Sequence, residues 1–328
     1  MSGRNPHDEG LQPARRRFLA LAALGALSLP RGVAALGALS LPRGVAAQPG
    51  PLLRTIPASG ERLPAIGRGT WITFDVGEGR WGGRSEALTA RWQVLQAFFA
   101  AGGRLIDSSP MYGSAEAVLG ELLPQSAGAD ALFSATKVWT PGQRLGEQQM
   151  ARSLARWGLP HFDLMQVHNL LDWQAHLPTL LRMRAEGAVR YIGITTSHGR
   201  RHDDLAAILR RERLDFVQFT YNIAHRAVEE RLLPLAAERG CAVLVNRPFD
   251  GGGLFRRVRG RPLPALAAEL GCTNWAQFFL KFVIAHPAVT CAIPATSQAA
   301  HMRENMGALS GPLPDAAQRR RMVAAFEA

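Results

Sequence analysis

Eight short apolar runs, each followed by a longer stretch of helical periodicity, fill the chain between residues 66 and 309. The runs fall at 66–71, 104–109, 131–138, 163–169, 189–196, 216–222, 242–247 and 290–294. The helical patterns fall near 86–101, 114–123, 144–158, 173–186, 202–211, 228–239, 273–286 and 297–309. Continuous apolar runs of this length read as strands buried on both faces, and strict strand–helix alternation demands parallel pairing. Eight such units are the count of a closed (β/α)8 TIM barrel. A doubly wound open sheet shares the alternation, but it is marked by a Gly-rich turn after its first strand. Gly67-Arg68-Gly69-Thr70-Trp71 lacks the G-x-G-x-x-G spacing. The expected fold class is α/β, a (β/α)8 TIM barrel with an N-terminal β-hairpin, formed by 52–57 and 62–66 around a Ser59-Gly60 turn. An insertion rich in Arg, Gly and Pro at 254–270 follows the seventh strand, and 314–328 reads as a final helix.

The N-terminus reads as an address. Arg15-Arg16-Arg17-Phe18-Leu19 opens a charged region, an apolar run follows from Ala20, and Val45-Ala46-Ala47 supplies a small-residue exit. The paired arginines followed by x-Phe-Leu resemble a twin-arginine (Tat) signal, which exports proteins already folded. Residues 23–34 read ALGALSLPRGVA, and 35–46 repeat them as a tandem copy. The expected organisation is a signal peptide over 1–47 and a barrel domain over 48–328, with cleavage after Ala47 ahead of a second exit at Ala35. The expected location is the periplasm, the expected partner is the Tat export machinery, and no stable membrane anchoring is expected after cleavage. A monomer is the default oligomeric state.

The formal charge of +12 is almost entirely arginine, since Lys137 and Lys281 are the only lysines. The arginines scatter along polar helix faces rather than clustering with aromatics, which argues for composition rather than nucleic-acid binding. A chain so poor in Lys that keeps one at a strand end has use there for a compact ammonium. The three cysteines, Cys241, Cys272 and Cys291, form no CxxC and argue against a disulfide framework or a zinc site.

The expected strand ends carry Asp107, Lys137, His168, Thr195, Asn222 and Asn246, whereas the helix-to-strand turns are plain. Barrel chemistry sits at the C-terminal ends of strands. Alternation puts Asp107 in register with Leu105, Lys137 with Ala135 and His168 with Gln166. If these rows face the axis, the three converge with Tyr112 at one mouth. A phenol has a pKa of ~10, too high for an efficient acid near neutrality. A nearby ammonium is expected to lower it, a carboxylate keeps that ammonium charged, and a neutral imidazole can hold a carbonyl oxygen beside the phenol. Such a set protonates a carbonyl oxygen, but no side chain donates hydride, so a nicotinamide is required.

Taken singly, each residue has a plainer explanation. Asp107 could cap a turn, Tyr112 could pack on the rim, Lys137 could end a strand in solvent, and His168 could be a satisfied core histidine. Their joint occurrence on consecutive strands is what points to chemistry.

From 52 to 310 the chain resembles the aldo-keto reductase family. The matching segments are Gly67 to Trp71, Ile106-Asp107-Ser108-Ser109-Pro110-Met111-Tyr112-Gly113-Ser114-Ala115-Glu116, Ala135-Thr136-Lys137, Asp163-Leu164-Met165-Gln166-Val167-His168, Arg190-Tyr191-Ile192-Gly193-Ile194-Thr195, Tyr221-Asn222, and Ile293-Pro294-Ala295-Thr296-Ser297 with Glu304-Asn305. The resemblance implies a catalytic set of Asp107, Tyr112, Lys137 and His168, with Tyr112 as general acid, Lys137 and Asp107 tuning it, and His168 orienting substrate. It implies cofactor contacts from Gly69, Thr70 and Trp71, and from Thr195, Thr196 and Gln218 around the nicotinamide carboxamide. Further contacts are implied for Asn246, Arg247, Pro248, Phe249 and Gly251, and for Ala295, Thr296, Ser297, His301, Glu304 and Asn305 around the adenosine. Asn246 falls where many members carry an aromatic. Ala295 and His301 fall where the family places a Lys and an Arg for the NADP 2′-phosphate. Thr296-Ser297 are expected to cap the last barrel helix, a usual anion position.

The resulting expectation is an NAD(P)H-dependent oxidoreductase that reduces an aldehyde or ketone reversibly, with NADP(H) favoured over NAD(H) and no metal. A cofactor-binding sensor with little turnover is the second reading. A metal-dependent hydrolase ranks last, because only His168 is well placed to ligate. Specificity is expected from 71–83, 139–142, 169–173 and 254–264. There Trp71, Trp81, Trp139 and Trp173 either line an apolar pocket or pack the rim.

Overall fold

The structure, a computed structural model, describes residues 50–77 and 84–328. The expected signal segment over 1–47, the duplication within it and Trp81 lie outside the described residues. The chain opens with an antiparallel hairpin, β1 (Leu53–Thr55) and β2 (Arg62–Pro64), in which Leu53 faces Pro64. Eight parallel strands follow: β3 (Arg68–Gly69), β4 (Leu105–Asp107), β5 (Phe133–Val138), β6 (Phe162–Val167), β7 (Val189–Thr195), β8 (Phe216–Thr220), β9 (Ala242–Asn246) and β10 (Cys291–Ala292). They pair in chain order, and a parallel bridge between Ile66 and Ala292 joins the last strand to the first. This is the expected TIM barrel with its hairpin.

Closure depends on a glycine. Gly67 N–H donates to the Ala292 carbonyl at 2.8 Å. A Cβ at Gly67 would stand 2.8 Å from the Leu105 carbonyl oxygen, so no larger residue fits the seam. The first and last strands are shorter than their apolar runs, because the seam is held by single bridges rather than a long ladder.

The helices lie outside the barrel: α1 (Arg84–Ala100), α2 (Ala115–Leu122), α3 (Gln143–Trp157), α4 (Trp173–Ala185), α5 (His202–Arg211), α6 (Leu232–Glu238), α7 (Gly253–Arg257), α8 (Leu266–Glu269), α9 (Trp275–Ile284), α10 (Ala299–Gly307) and α11 (Ala316–Glu327). The insertion after the seventh barrel strand is thus ordered as two short helices, α7 and α8. Helix ends follow local chemistry. Gly158 closes α3 in the left-handed region at φ 65°. Asp315 and Gln318 form a capping box that starts α11.

Two apolar layers hold the fold. The outer one packs strand residues such as Ile106, Val138, Val167 and Ile194 against the helices. The inner one fills the bore with Leu105, Phe133, Ala135, Leu164, Tyr191, Phe216, Leu244 and Cys291, and the hairpin adds Ile56 and Leu63. Each large side chain so buried contributes about 1.5–3 kcal/mol. Below the bore, Glu61 of the hairpin accepts from Arg190 at 2.5 Å and from the Tyr191 hydroxyl at 2.9 Å. The hairpin is therefore a floor fastened to the strand N-termini. Among the described residues, no helix is long and apolar enough to cross a membrane.

Candidate active site

The inner rows of the barrel continue upward from apolar to polar. Leu105 leads to Asp107, Ala135 to Lys137, Leu164 to Gln166 and His168, Phe216 to Gln218, and Leu244 to Asn246. The two-residue strand period brings these polar groups to the C-terminal mouth. Strand register sets the pairs: Gly69 lies beside Asp107, and Lys137 beside Gln166.

The Lys137 ammonium is fully buried and lies 2.5 Å from Asp107 Oδ2 and 2.6 Å from the Ser108 carbonyl. Asp107 Oδ1 accepts from Gln166 Nε2 at 2.9 Å and Gln218 Nε2 at 3.1 Å. A buried ion pair is tolerable only when its remaining lone pairs are satisfied, and here both amides do that. Asn246 extends the chain, donating to the Thr196 carbonyl at 2.8 Å and to Gln218 Oε1 at 3.3 Å while accepting from Thr220.

The structure brings Tyr112 and His168 to this pair. Lys137 Nζ is 5.1 Å from the centre of the Tyr112 ring, and the Tyr112 and His168 rings meet edge to face at 5.7 Å. Trp139 stands 6.4 Å from His168, and Ser109 Oγ lies 2.9 Å from His168 Nδ1. Tyr112 is placed by its neighbours. Gly113 adopts φ 59°, and a Cβ there would come 2.3 Å from the Asp75 carboxylate. Ser114 stands at the first position before α2, but its side chain does not cap the helix as its place suggests. Its hydroxyl donates to Asp75 at 2.9 Å and accepts from the Val76 and Gly77 amides. It ties the loop after β3 to the Tyr112 turn.

Burial and charge set the protonation states. Burial raises the Tyr112 phenol above its usual value, and Asp107 adds to this; the pull of Lys137 toward phenolate does not overcome them. The expected lowering by the ammonium is therefore reversed, because desolvation of the phenolate outweighs attraction. At Lys137, burial opposes the charge, but Asp107 and then Tyr112 outweigh it and hold the ammonium above its usual range. Burial, with Lys137 repelling added charge, puts His168 well below its usual value, so its imidazole is neutral. The arrangement is a protonated phenol between an ammonium and a neutral imidazole.

The residues matched to a nicotinamide cofactor ring the same mouth. Gly69 and Thr70 are buried at the end of β3, with Trp71 exposed beside them. The Thr70 hydroxyl bonds Ser108 Oγ at 2.8 Å. Thr195 Oγ1 accepts from the Asn169 amide at 3.0 Å. Thr196 Oγ1 is buried and has no hydrogen-bond partner among the described residues, as suits a group that meets a bound amide. Gln218, by contrast, spends its Nε2 on Asp107 and Gln166. Arg247 takes φ 49°, lies over the Trp71 ring at 5.8 Å and holds Asp250 at 2.9 Å. Asp250, next to Gly251, is thus paired. Pro248 is buried, Phe249 packs on Phe255 at 4.9 Å, and Gly251 turns at φ 60°.

At the positions matched to the adenosine, Ala295 and His301 are exposed, Ser297 and Glu304 are half-buried, and Thr296 and Asn305 are buried. The cap of α10 is Gln298 rather than Thr296-Ser297; Thr296 Oγ1 instead accepts from the Gln298 amide at 3.1 Å.

Three groups went unassigned in the sequence. Gln166 and Ser109 sit inside motifs but acquire their roles only from contacts 59 positions away. Arg68 lies in an apolar run and is completely buried, donating to the Thr296 carbonyl at 3.1 Å. Its guanidinium rests 3.5 Å from the Phe74 ring, and its Nε and Nη1 find no acceptor among the described residues. An Arg inside an apolar strand was the available signal. Among the described residues, no group of three or more His, Cys, Asp or Glu could hold a metal.

A barrel with a phenol, an ammonium and an imidazole gathered at the strand C-terminal mouth has the parts of an enzyme that hands a proton to its substrate. The aldo/keto reductase family model matches residues 65–321, and the chain belongs to that family. It is an oxidoreductase of the kind that reduces carbonyl groups with NAD(P)H. It is 29% identical over 238 residues to pyridoxine 4-dehydrogenase of Escherichia coli, covering 66% of this chain and 79% of that one. It is 27% identical over 223 residues to the NADH-specific methylglyoxal reductase of the same organism, covering 58% of this chain and 65% of that one. A Klebsiella pneumoniae aldo/keto reductase solved with NADP and acetate superposes with a TM-score of 0.67 at 23% identity, covering 81% of this chain and 93% of the other.

Proposed function

We propose that this protein reduces an aldehyde or ketone to an alcohol, reversibly, with Tyr112 as the proton donor. The observation that carries the proposal is the buried Lys137–Asp107 pair, 2.5 Å apart, set against a protonated phenol and a neutral imidazole. A reduced nicotinamide, when bound, would supply the hydride that the carbonyl carbon receives. As that carbon is reduced, negative charge develops on the oxygen, and Tyr112 transfers its hydroxyl proton there. The phenolate left behind is stabilised by Lys137, whose charge Asp107 secures, and solvent returns the proton. Gln166 and Gln218 hold Asp107 in place. Trp71, Met111 and Trp139, exposed around the mouth, favour an apolar carbonyl compound.

Thr195 and Thr196 are the groups that would hold the carboxamide, and Thr296, Ser297, Glu304 and Asn305 the adenosine. One relative named above is NADH-specific and one related structure holds NADP, so family membership leaves the choice open. Arg68 favours NADP(H). It places an uncompensated buried charge against the carbonyl of Thr296, in the segment matched to the 2′-phosphate.

Steady-state assays with a panel of aldehydes and ketones, following NADPH and NADH consumption, test the reading. Tyr112→Phe should lower kcat at least about a hundredfold, within the usual range for losing a general acid. Turnover unaffected by that change would sink the proposal.

Export through the Tat pathway with cofactor already bound belongs to the same proposal. The basic–apolar–small pattern of 1–47 supports it, and so do three free, buried cysteines, which suit folding in a reducing compartment before export. Fractionation of cells and N-terminal sequencing of the mature protein test it. A purely cytoplasmic, uncleaved chain contradicts it.

A further inference from the structure

Ser109 is fully buried two residues after Asp107. Its hydroxyl oxygen has two partners among the described residues, the Met111 backbone N–H at 3.3 Å and His168 Nδ1 at 2.9 Å. A backbone N–H only donates, so Ser109 Oγ accepts from Met111. The hydroxyl proton then has one place to go, the Nδ1 lone pair. The reverse assignment, with Nδ1–H donating to Ser109, leaves a buried hydroxyl proton without an acceptor. That is disfavoured by roughly fivefold or more.

We propose that Ser109 is a positioning residue that fixes His168 as the Nε2–H tautomer, so the ring offers the site a donor rather than a lone pair. Neither the sequence motif nor family membership assigns this role. The inference rests on the reading of His168 as the group that orients a carbonyl oxygen. A carbonyl oxygen between Tyr112 and His168 can accept from both the phenol O–H and Nε2–H. The other tautomer would set an Nε2 lone pair against the carbonyl lone pairs and repel the substrate from the phenol. Ring nitrogens in such sites are governed by the hydrogen bond made at the other nitrogen. Here that controlling bond comes from a serine three residues before the proton donor and on the same turn, so His168 and Tyr112 are held by one short stretch of chain.

The test is long-range 1H–15N correlation spectroscopy of the cofactor-free, 15N-histidine-labelled protein, with wild type, Ser109→Ala and Ser109→Thr. In the wild type, His168 Nε2 should show the shift of a protonated, pyrrole-type nitrogen and Nδ1 that of a bare, pyridine-type nitrogen. Ser109→Ala should move both toward an averaged tautomer mixture, and Ser109→Thr should restore the wild-type pattern. In turnover assays Ser109→Ala should lower kcat/KM by about twofold, the share of rings lost to the other tautomer, with the dissociation constant for NADP+ unchanged. A wild-type ring protonated at Nδ1 overturns the inference. So does an alanine variant that keeps the pure Nε2–H pattern. If Ser109→Ala does not fold, the wild-type and Ser109→Thr spectra decide on the same criterion. The spectra need no substrate. An Nε2–H ring in a protein that turns over no carbonyl therefore counts for the tautomer assignment and against the proposed function.

Discussion

Gln166 Nε2 lies 2.9 Å from Asp107 Oδ1, so the carboxylate that secures Lys137 is itself held from the strand beyond it. With Gln218 at 3.1 Å and Lys137 at 2.5 Å, Asp107 receives three side-chain donors, all buried. Replacing Gln166 by Leu leaves one carboxylate oxygen with only Gln218. The expected result is a loss of about 1–2 kcal/mol in stability and a fall in kcat with little change in cofactor affinity. Chemical denaturation and single-turnover kinetics on Gln166→Leu check both. Unchanged kcat would show that Asp107 is adequately placed by Lys137 and Gln218 alone.

The protonation pattern fixes the direction of the pH response. Burial and Lys137 place His168 below its usual value, and burial places Tyr112 above its own. Reduction should therefore show no limb near ~6.5 and decline only toward and above ~10, where the phenol loses its proton. Stability follows with a definite sign. The folded-state value of His168 lies below the unfolded one, so its neutral form is favoured by folding. That contribution is complete above ~6.5 and shrinks as pH falls below it, because the unfolded chain then binds a proton that the folded one resists. Thermal melts between about pH 5 and 8 should show a steeper acid-side loss in wild type than in His168→Gln.

Arg68 gives a prediction about cofactor choice. If, as proposed, the 2′-phosphate lies nearer Arg68 than the pyrophosphate that both cofactors share, Arg68→Leu should weaken NADP+ binding roughly five- to tenfold and leave NAD+ binding within about twofold. Titration calorimetry with both dinucleotides measures the difference. Equal losses for both would make Arg68 a packing residue and no determinant of cofactor choice.

Lys281 is the control for Lys137. Its ammonium donates to the carbonyls of Leu270, Ser310 and Pro312 at 2.5, 2.7 and 3.0 Å. These bonds fasten the end of α8 to the segment between α10 and α11. Lys281→Met should lower stability by about 2–3 kcal/mol while leaving kcat near the wild-type value. Lys281→Arg should not rescue it, since a planar fork cannot aim at three carbonyls around a point. A thermal melt and an activity assay separate the two lysines.

That pair of lysines shows where the sequence was readable and where it was not. Scarcity singled out Lys137, yet it applied equally to Lys281, whose contacts come from loops that no periodic pattern places. The strands and the inward rows were legible because burial on both faces makes each run apolar and strand geometry gives it a two-residue side-chain period, and that period carried Asp107, Lys137 and His168 to one mouth. Ser114 stands where a serine commonly caps a helix, but its side chain does not cap α2. Its actual partner, Asp75, lies 39 positions earlier and has no signature of its own. The Tyr112 shift was misjudged for a physical reason: charge partners are visible in a motif, but the degree of desolvation is not. Arg68 is the same problem in reverse, a charge whose burial nothing in the local sequence announces.

The hairpin floor has a consequence for traffic. Ile56 and Leu63 seal a bore already filled by Leu105, Phe133 and Phe216, and Tyr191 in the same layer turns its hydroxyl down to Ser59 and Glu61 rather than up toward the site. The barrel is a blind tube. Whatever reprotonates Tyr112 must enter by the same doorway as the ligands, so the enzyme cannot recharge its acid while that doorway is blocked. Product departure and proton return are thereby placed in one queue.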